Sequence, residues 1–375
     1  METPPRWSSS SSYVSQGEPR WVRGLPWLTV VLMLWGGLAL TQAQSTGAAY
    51  QAVEVGRLAE GSSRVVRAVN EGGEIVGGVP RDRGQRGFLL NGAGLQDIAV
   101  LPGGSDYSIA LGINNVGRVV GSANTATGLR AFRSQRRGAI AVLGPLPGDR
   151  ASAAFAINQP GEVVGFSSGP AGVRAVRWSD AGAIEALAGL PGSASSRALA
   201  INDPGDIVGV SEDGSGARAV FWGGGAAEDL GTLPGHGASE ALSINNNGDI
   251  VGSSGDLQGQ HRAVLWAPGG GIEDLGTLPG GSSSRALGIN IHGEVVGTAE
   301  TGAGNHAFLW TRQGGMEDLN DLLSSRSGFV LTQAVAINAE GLILAIGYEE
   351  DSAAAEHVHE DHELPVRIFR VVPVL

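Results

Sequence analysis

Cysteine is absent from this 375-residue chain, and so is lysine. Without a thiol there is no disulfide framework, no cysteine nucleophile and no lipidated cysteine behind an export signal. All 25 basic side chains are arginine and the formal net charge is −12. An acidic surface argues against nucleic acid and against anionic lipid headgroups as partners. Helical periodicity is missing beyond residue 40, no Gly-x-Gly-x-x-Gly loop opens a helix, and no serine sits in a Gly-x-Ser-x-Gly elbow that leads into a helix. Paired carboxylates such as Glu273 and Asp274 occupy adjacent positions of an extended segment. They point to opposite faces and cannot act together on one bond.

What is present is a repeat. An apolar residue followed by Asn, with Gly three residues later, occurs at Asn70, Asn114, Asn158, Asn202, Asn245, Asn290 and Asn338, at spacings of 44, 44, 44, 43, 45 and 48. A period near 44 with four short strands per unit is that of a propeller blade. The copy at 276–319 predicts strands at Arg285–Ile289, Glu294–Thr298, His306–Thr311 and Met316–Leu319. The glycines at 73, 117, 161, 205, 248, 293 and 341, preceded twice by Pro (Pro160, Pro204), predict a type II turn with Gly third. The Asn column suits that turn, with a ring of ligand-binding amides as the alternative. Before the Asn, small and bulky residues alternate (Ala198 and Ala200 against Leu199 and Ile201), which predicts an innermost strand whose bulky face interdigitates with a small one. A second glycine column, Gly77, Gly121, Gly165, Gly209, Gly252 and Gly297, predicts close backbone approach inside strand two.

The termini fit a ring. Residues 50–58 align with the fourth strand at 270–278 but have no strands before them, while the last unit has three strands and stops. The N-terminal strand can therefore complete the last blade and remove a free sheet edge. The fold expected is all-β, a seven-bladed β-propeller closed by an N-terminal strand, over residues 44–375. Residues 1–43 read as a signal peptide or N-terminal membrane anchor, with arginines, an apolar run at 25–40 and small residues at 41–43. The expectation is an exported protein, extracellular, at the cell surface or periplasmic, and membrane-anchored only if that segment is retained.

The third strand, His306-Ala307-Phe308-Leu309-Trp310, carries a His-Ala-Phe motif, with LGTLPGGSSSRALGIN at 275–290, GEVVG at 293–297, and late SGFVLTQAVAIN and RIFRVVP segments. Together they resemble the HAF-type extracellular repeat proteins of bacteria, over roughly residues 50–375. Most copies depart from the motif and read Arg-Ala-Val or Arg-Ala-Phe. The resemblance implies an exported bacterial repeat protein with a β-propeller fold. It carries no activity and no catalytic residues.

Three residue sets are candidates for binding. Arg86, Arg130, Arg174, Arg218, Arg262, His306 and Arg367 open strand three in successive blades. Cross-strand ion pairs to Glu54, Asp97, Asp229, Asp274 and Asp318 account for them, and a cationic ring for an anionic ligand is the alternative. Trp178, Trp222, Trp266 and Trp310 follow four residues later, as core residues or as sugar-stacking platforms. The segments between strands two and three vary most and should share one face with the Leu-Pro-Gly connectors. The longest holds His357, His359 and His362, which could take a divalent metal as a cofactor. The function read from this is a non-enzymatic scaffold, binding or structural, for an extracellular glycan or protein. A carbohydrate-active lyase or hydrolase with its site on the variable-loop face is the alternative. A monomer is expected.

Overall fold

The computed structural model describes residues 50–374 except 58–65, 82–83, 99–100, 102, 105, 135–139, 225, 257–258, 326–327 and 351–365. The N-terminal segment read as signal or anchor, and His357, His359 and His362, lie outside the described residues. Twenty-eight strands form seven four-stranded antiparallel sheets, and there is no α-helix among the described residues. No helix there is long and apolar enough to cross a membrane. Six sheets are built from four consecutive strands. The seventh joins Phe329–Ile337, Ile343–Glu349 and Arg367–Pro373 to the N-terminal strand Tyr50–Arg57, which pairs antiparallel with Arg367–Pro373. The seven-bladed propeller is closed by its own N-terminal strand.

The Asn-bearing strands are innermost, each touching its two counterparts around the axis. They are Val66–Val69, Ser108–Ile113, Ala151–Ile157, Ser195–Ile201, Ala238–Ile244, Ser284–Ile289 and Phe329–Ile337. There is no single core. Seven apolar clusters lie one at each seam between blades; that between blades two and three unites Val120, Ala131, Leu143 and Leu146 with Ala154, Val163, Val176 and Trp178. Each blade therefore buries its apolar faces against two neighbours, and closure of the ring covers the last pair.

Three local expectations are corrected. First, only half of the bulky residues of strand one pack against small ones: Ile201 and Ile244 share seam clusters with Ala156 and Ala200 of the preceding inner strands, but the residues three before the Asn do not interdigitate. The pairing of strands one and two slips by one residue in every blade, at Ala110/Gly112 and Ala154/Ala156 for example. Such a bulge breaks the period-two alternation and re-aims the extra residue. The extra residues are Arg67, Leu111, Phe155, Leu199, Leu242, Leu287 and Val335, and all seven line a cavity on the propeller axis. Second, the Asn turn closes one residue earlier than a type II turn with Gly third. Gly161 N–H donates to the Asn158 carbonyl, so Gly161 is the fourth residue, with φ +94°. The left-handed glycine is needed, as a bulge residue after the turn. Third, the connections between strands two and three are mostly not loops. Pairing runs on to Thr125↔Gly128, Gly169↔Gly172, Asp213↔Gly216 and Thr301↔Gly304, leaving two-residue turns.

The same bulge explains the second glycine column. A Cβ at Gly121, Gly165, Gly209, Gly252 or Gly297 would lie 1.9–2.0 Å from a strand-one carbonyl oxygen. The kinked inner strand has moved its backbone into that space.

Candidate functional site: the axial cavity and the blade seams

The Asn column is neither only a turn nor a set of free amides. Each Asn Oδ1 accepts the N–H four residues on, as in Glu162 N–H to Asn158 Oδ1 at 2.8 Å. Each Nδ2 donates to the backbone carbonyl of the corresponding Asn in the next blade. The bonds run 70 to 114, 114 to 158, 158 to 202, 202 to 245, 245 to 290, 290 to 338 and 338 back to 70, at 3.0–3.4 Å. In five blades the same Nδ2 also donates to a carboxylate: Glu74, Glu162, Asp206, Asp249 or Glu294. The amides are buried and committed to seven seams.

A second seam bond was not read from the sequence. Ser108, Ser152, Ser196, Ser239 and Ser284 are buried and accept a strand-three N–H of the preceding blade, from Gly87, Ala131, Ala175, Ala219 and Ala263, at 2.9–3.0 Å. Their signal was a serine six residues before the Asn in five of seven copies.

The strand-three cations are placed as a column but do not point as a set into solvent. Arg218, Arg262, His306 and Arg367 pair across to strand-four acids Asp229, Asp274, Asp318 and Glu54, and Arg367 also reaches Glu349. Arg86 pairs instead with Asp106, and Arg174 with Asp149, both from connectors, while Asp97 takes Arg81. Arg130 donates to the carbonyls of Arg150 and Leu129. Asp149 has a nearly fully buried side chain. Burial raises its carboxyl, but the Ser167 hydroxyl and the Arg174 guanidinium outweigh that and hold it below the usual range. The four tryptophans are buried, Trp178 completely, and Trp178 and Trp222 donate Nε1–H to the Gly144 and Ala188 carbonyls. They are core residues and offer no face to a sugar.

The axial cavity has a volume of about 360 Å³. The bulge residues form one level of its wall, and the residues just before the Asn (Val69, Ile113, Ile157 and their equivalents) form the next. Glu71, Asn115, Gln159, Asp203 and Asn246 surround its mouth on the side of the Asn turns. Their side chains are taken up by neighbours: Asn115 Oδ1, Gln159 Oε1, Asp203 Oδ1 and Asn246 Oδ1 each accept an N–H from the preceding blade, and Glu71 Oε2 accepts from Ala339. No group of three His, Asp or Glu suited to a metal occurs among the described residues.

No family model matches the sequence, and no curated protein matches it. Solved structures match in fold. A virginiamycin B lyase from Staphylococcus aureus is 13% identical over 87% of this chain and 99% of that one, with a TM-score of 0.51. A catalytically inactive form of that lyase with quinupristin is 12% identical over 87% and 100%, with a TM-score of 0.53. A streptogramin B lyase is 14% identical over 88% and 99%, with a TM-score of 0.53. At such identity the likeness establishes the β-propeller fold alone.

Proposed function

We propose that this chain is an exported, non-catalytic propeller of the HAF-type repeat kind, which binds an extracellular glycan or protein through its connector-side face. One observation carries the reading. Every seam of the ring is held by repeated side-chain-to-backbone bonds, from the seven Asn and five Ser positions, and none of these uses the hairpin tips on the connector side. The scaffold is thus independent of the tips Ala126-Thr127, Pro170-Ala171, Gly214-Ser215 and Gly302-Ala303, which differ from blade to blade. Variable tips on a rigid repeated frame are where recognition is placed. The strand-three cations are already engaged by acids or, for Arg130, by backbone carbonyls, so a polar, hydrogen-bonding ligand suits this face better than a bare anion.

The test is capture of the full chain on a polysaccharide and glycan array, with and without EDTA, followed by product analysis of every captured glycan. Retention of intact glycan supports the reading, and EDTA-sensitive retention assigns it to His357, His359 and His362. Release of unsaturated or new reducing-end products would replace it with a carbohydrate lyase or hydrolase. Absence of glycan capture moves the reading to a protein partner.

A further inference from the structure

At the connector-side end of its strands, blade five (residues 238–274) departs from its neighbours. Three residues after the strand-two glycine, blades four and six carry Glu212 and Glu300, and blade five carries Gly255. A Cβ on Gly255 would stand 3.0 Å from His261 Cε1 and 3.1 Å from Nδ1, so the imidazole lies where the neighbours place a carboxylate side chain. Gly255 and Ser253 alternate onto one face of the sheet, and Ser253 stands directly opposite Glu240 of strand one and Ala263 of strand three. Ala263 packs against Ala286 and Phe308 of blade six, so this face of blade five looks into the seam with blade six. His261 N–H also donates across that seam to Ser283 Oγ. From blade six, Arg285 Nη2 meets the Glu240 carboxylate at 2.5 Å. Ser253 Oγ and His261 Nδ1 are buried without a hydrogen-bond partner, and so is Arg285 Nε. Apart from arginine Nε atoms and Trp266 Nε1, the first two are the only such side-chain atoms among the described residues, and they share one face of one blade. A buried polar atom left unpaired costs its full desolvation, so the pair calls for a partner from outside the fold. The side chains of Arg285 and Glu240 are 40% and 35% exposed, and they are the solvent-facing edge of this seam.

We propose that the connector-side end of the seam between blades five and six is a subsite for one neutral sugar ring, held through neighbouring hydroxyls by Glu240, Arg285, Ser253 and His261. The inference rests on the glycan-binding reading of this face and gives it a place and a ligand charge. A sugar hydroxyl both donates and accepts. It can donate to the Glu240 carboxylate, accept from the Arg285 guanidinium, and do either with Ser253 Oγ and with His261 Nδ1, whose role follows the tautomer. Glu240 and Arg285 neutralise each other, so a ligand carboxylate would meet Glu240 and a ligand ammonium would meet Arg285, each without a surplus counter-charge. The corresponding acids of the adjacent blades are committed: Glu212 to Ser195 and Arg197, and Glu300 to Ser282. Blade five alone exchanges that acid for glycine, and the exchange makes room for the imidazole.

The test is a saturation-transfer NMR titration of the full chain with methyl α-glucoside, methyl α-mannoside, methyl β-galactoside, glucuronate and glucosamine. At least one neutral glycoside should bind, and glucuronate and glucosamine should bind about tenfold more weakly than it. Ser253→Ala should weaken that glycoside about tenfold while leaving the thermal midpoint unchanged or raised, because it removes a hydroxyl that the fold itself leaves unpaired. A purely structural serine would instead lower the midpoint and spare binding. Gly255→Glu restores the side chain of the adjacent blades, displaces the imidazole and should abolish binding; Ser253→Ala decides the matter if that variant fails to fold. Unchanged glycoside affinity in Ser253→Ala overturns the subsite and leaves the wider glycan-binding reading standing. Glucuronate or glucosamine binding as tightly as the neutral glycosides overturns it as well. If the natural protein binds none of the five, the subsite is overturned, and capture on the glycan array judges the wider reading separately.

Discussion

Asn338 and Asn70 are 268 residues apart, and the side-chain amide of the first donates to the backbone carbonyl of the second at 3.4 Å. This is the longest of the seven equivalent bonds and the one that shuts the ring. It spans the seam where the two ends of the chain meet. The other six join neighbours 43–48 residues apart.

The seven asparagines should not be equivalent to mutation. Asn158 Nδ2 also donates to the Glu162 carboxylate at 3.0 Å, whereas the position four after Asn338 is Leu342. Asn158→Asp would lose two donated bonds and set a second carboxylate against Glu162. We expect a loss of about 2–3 kcal/mol in urea denaturation at neutral pH, partly recovered in acid. Asn338→Asp should lose about 1 kcal/mol, with little recovery. Equal losses at neutral pH would show that the adjacent carboxylate contributes nothing.

Gly165 should tolerate no side chain. A Cβ there would stand 2.0 Å from the Ala153 carbonyl oxygen and 3.0 Å from Ala154 Cα. Neither atom can move without unpairing the inner strand, so Gly165→Ala should cost about 2–3 kcal/mol. Gly182 has φ +84° but open space around it. Gly182→Ala should cost about 1 kcal/mol, from backbone conformation alone. The ordering of the two thermal midpoints checks the steric argument.

The ring should open at high pH at its closure strand. Burial, and then the charges of Glu294 and Glu317, push the Tyr50 phenol from 10.0 up to about 12. Tyr50 is buried, and its backbone bonds both Leu322 and Ser324. A phenol whose folded pKa is raised keeps its proton in the folded state after the unfolded chain has lost it. Stability is therefore fully present below pH 10 and falls as pH rises toward about 12, with a limiting slope of roughly 1.4 kcal/mol per pH unit. Tyr50→Phe should flatten that alkaline limb relative to the natural protein in pH-dependent urea titrations. Parallel limbs would remove Tyr50 from the account.

Acid should act through Asp149. Its two carboxylate oxygens lie 2.9 Å from Arg174 Nη2, and Oδ2 also accepts from Ser167 Oγ at 2.6 Å. With the folded pKa held below the ordinary 3.8, the stabilisation is complete above the carboxylate range and is lost as pH falls through the folded value. Asp149→Asn should lower stability at pH 7 and remove part of the acid dependence, so the two stability curves converge toward low pH. Curves that stay parallel would count against this pair.

Much of the architecture was legible because it is local or periodic. The Asn and Gly columns count the blades, alternation marks the strands, and the orphan strand at 50–58 with the short last unit implies closure. Less of the site was legible. Arg218, Arg262, His306 and Arg367 found their acids on the strand that follows or completes the blade, where antiparallel register puts them. Arg86 and Arg174 took Asp106 and Asp149 instead, from connectors whose path no spacing encodes. Arg67 passed unnoticed although it alone breaks an apolar column, because a column reads as a strand face until a bulge turns it.

The sequence by itself determined the sevenfold repeat, the order of strands in each blade and the need for the termini to meet, because these follow from short-range pattern and from the avoidance of open sheet edges. The tertiary structure alone decided which groups serve the seams and which face the axis. Those choices depend on partners about one blade distant in sequence, and on a one-residue slip in pairing. That slip turns seven side chains away from the blades and into a common cavity, and hydrophobic periodicity carries no record of it.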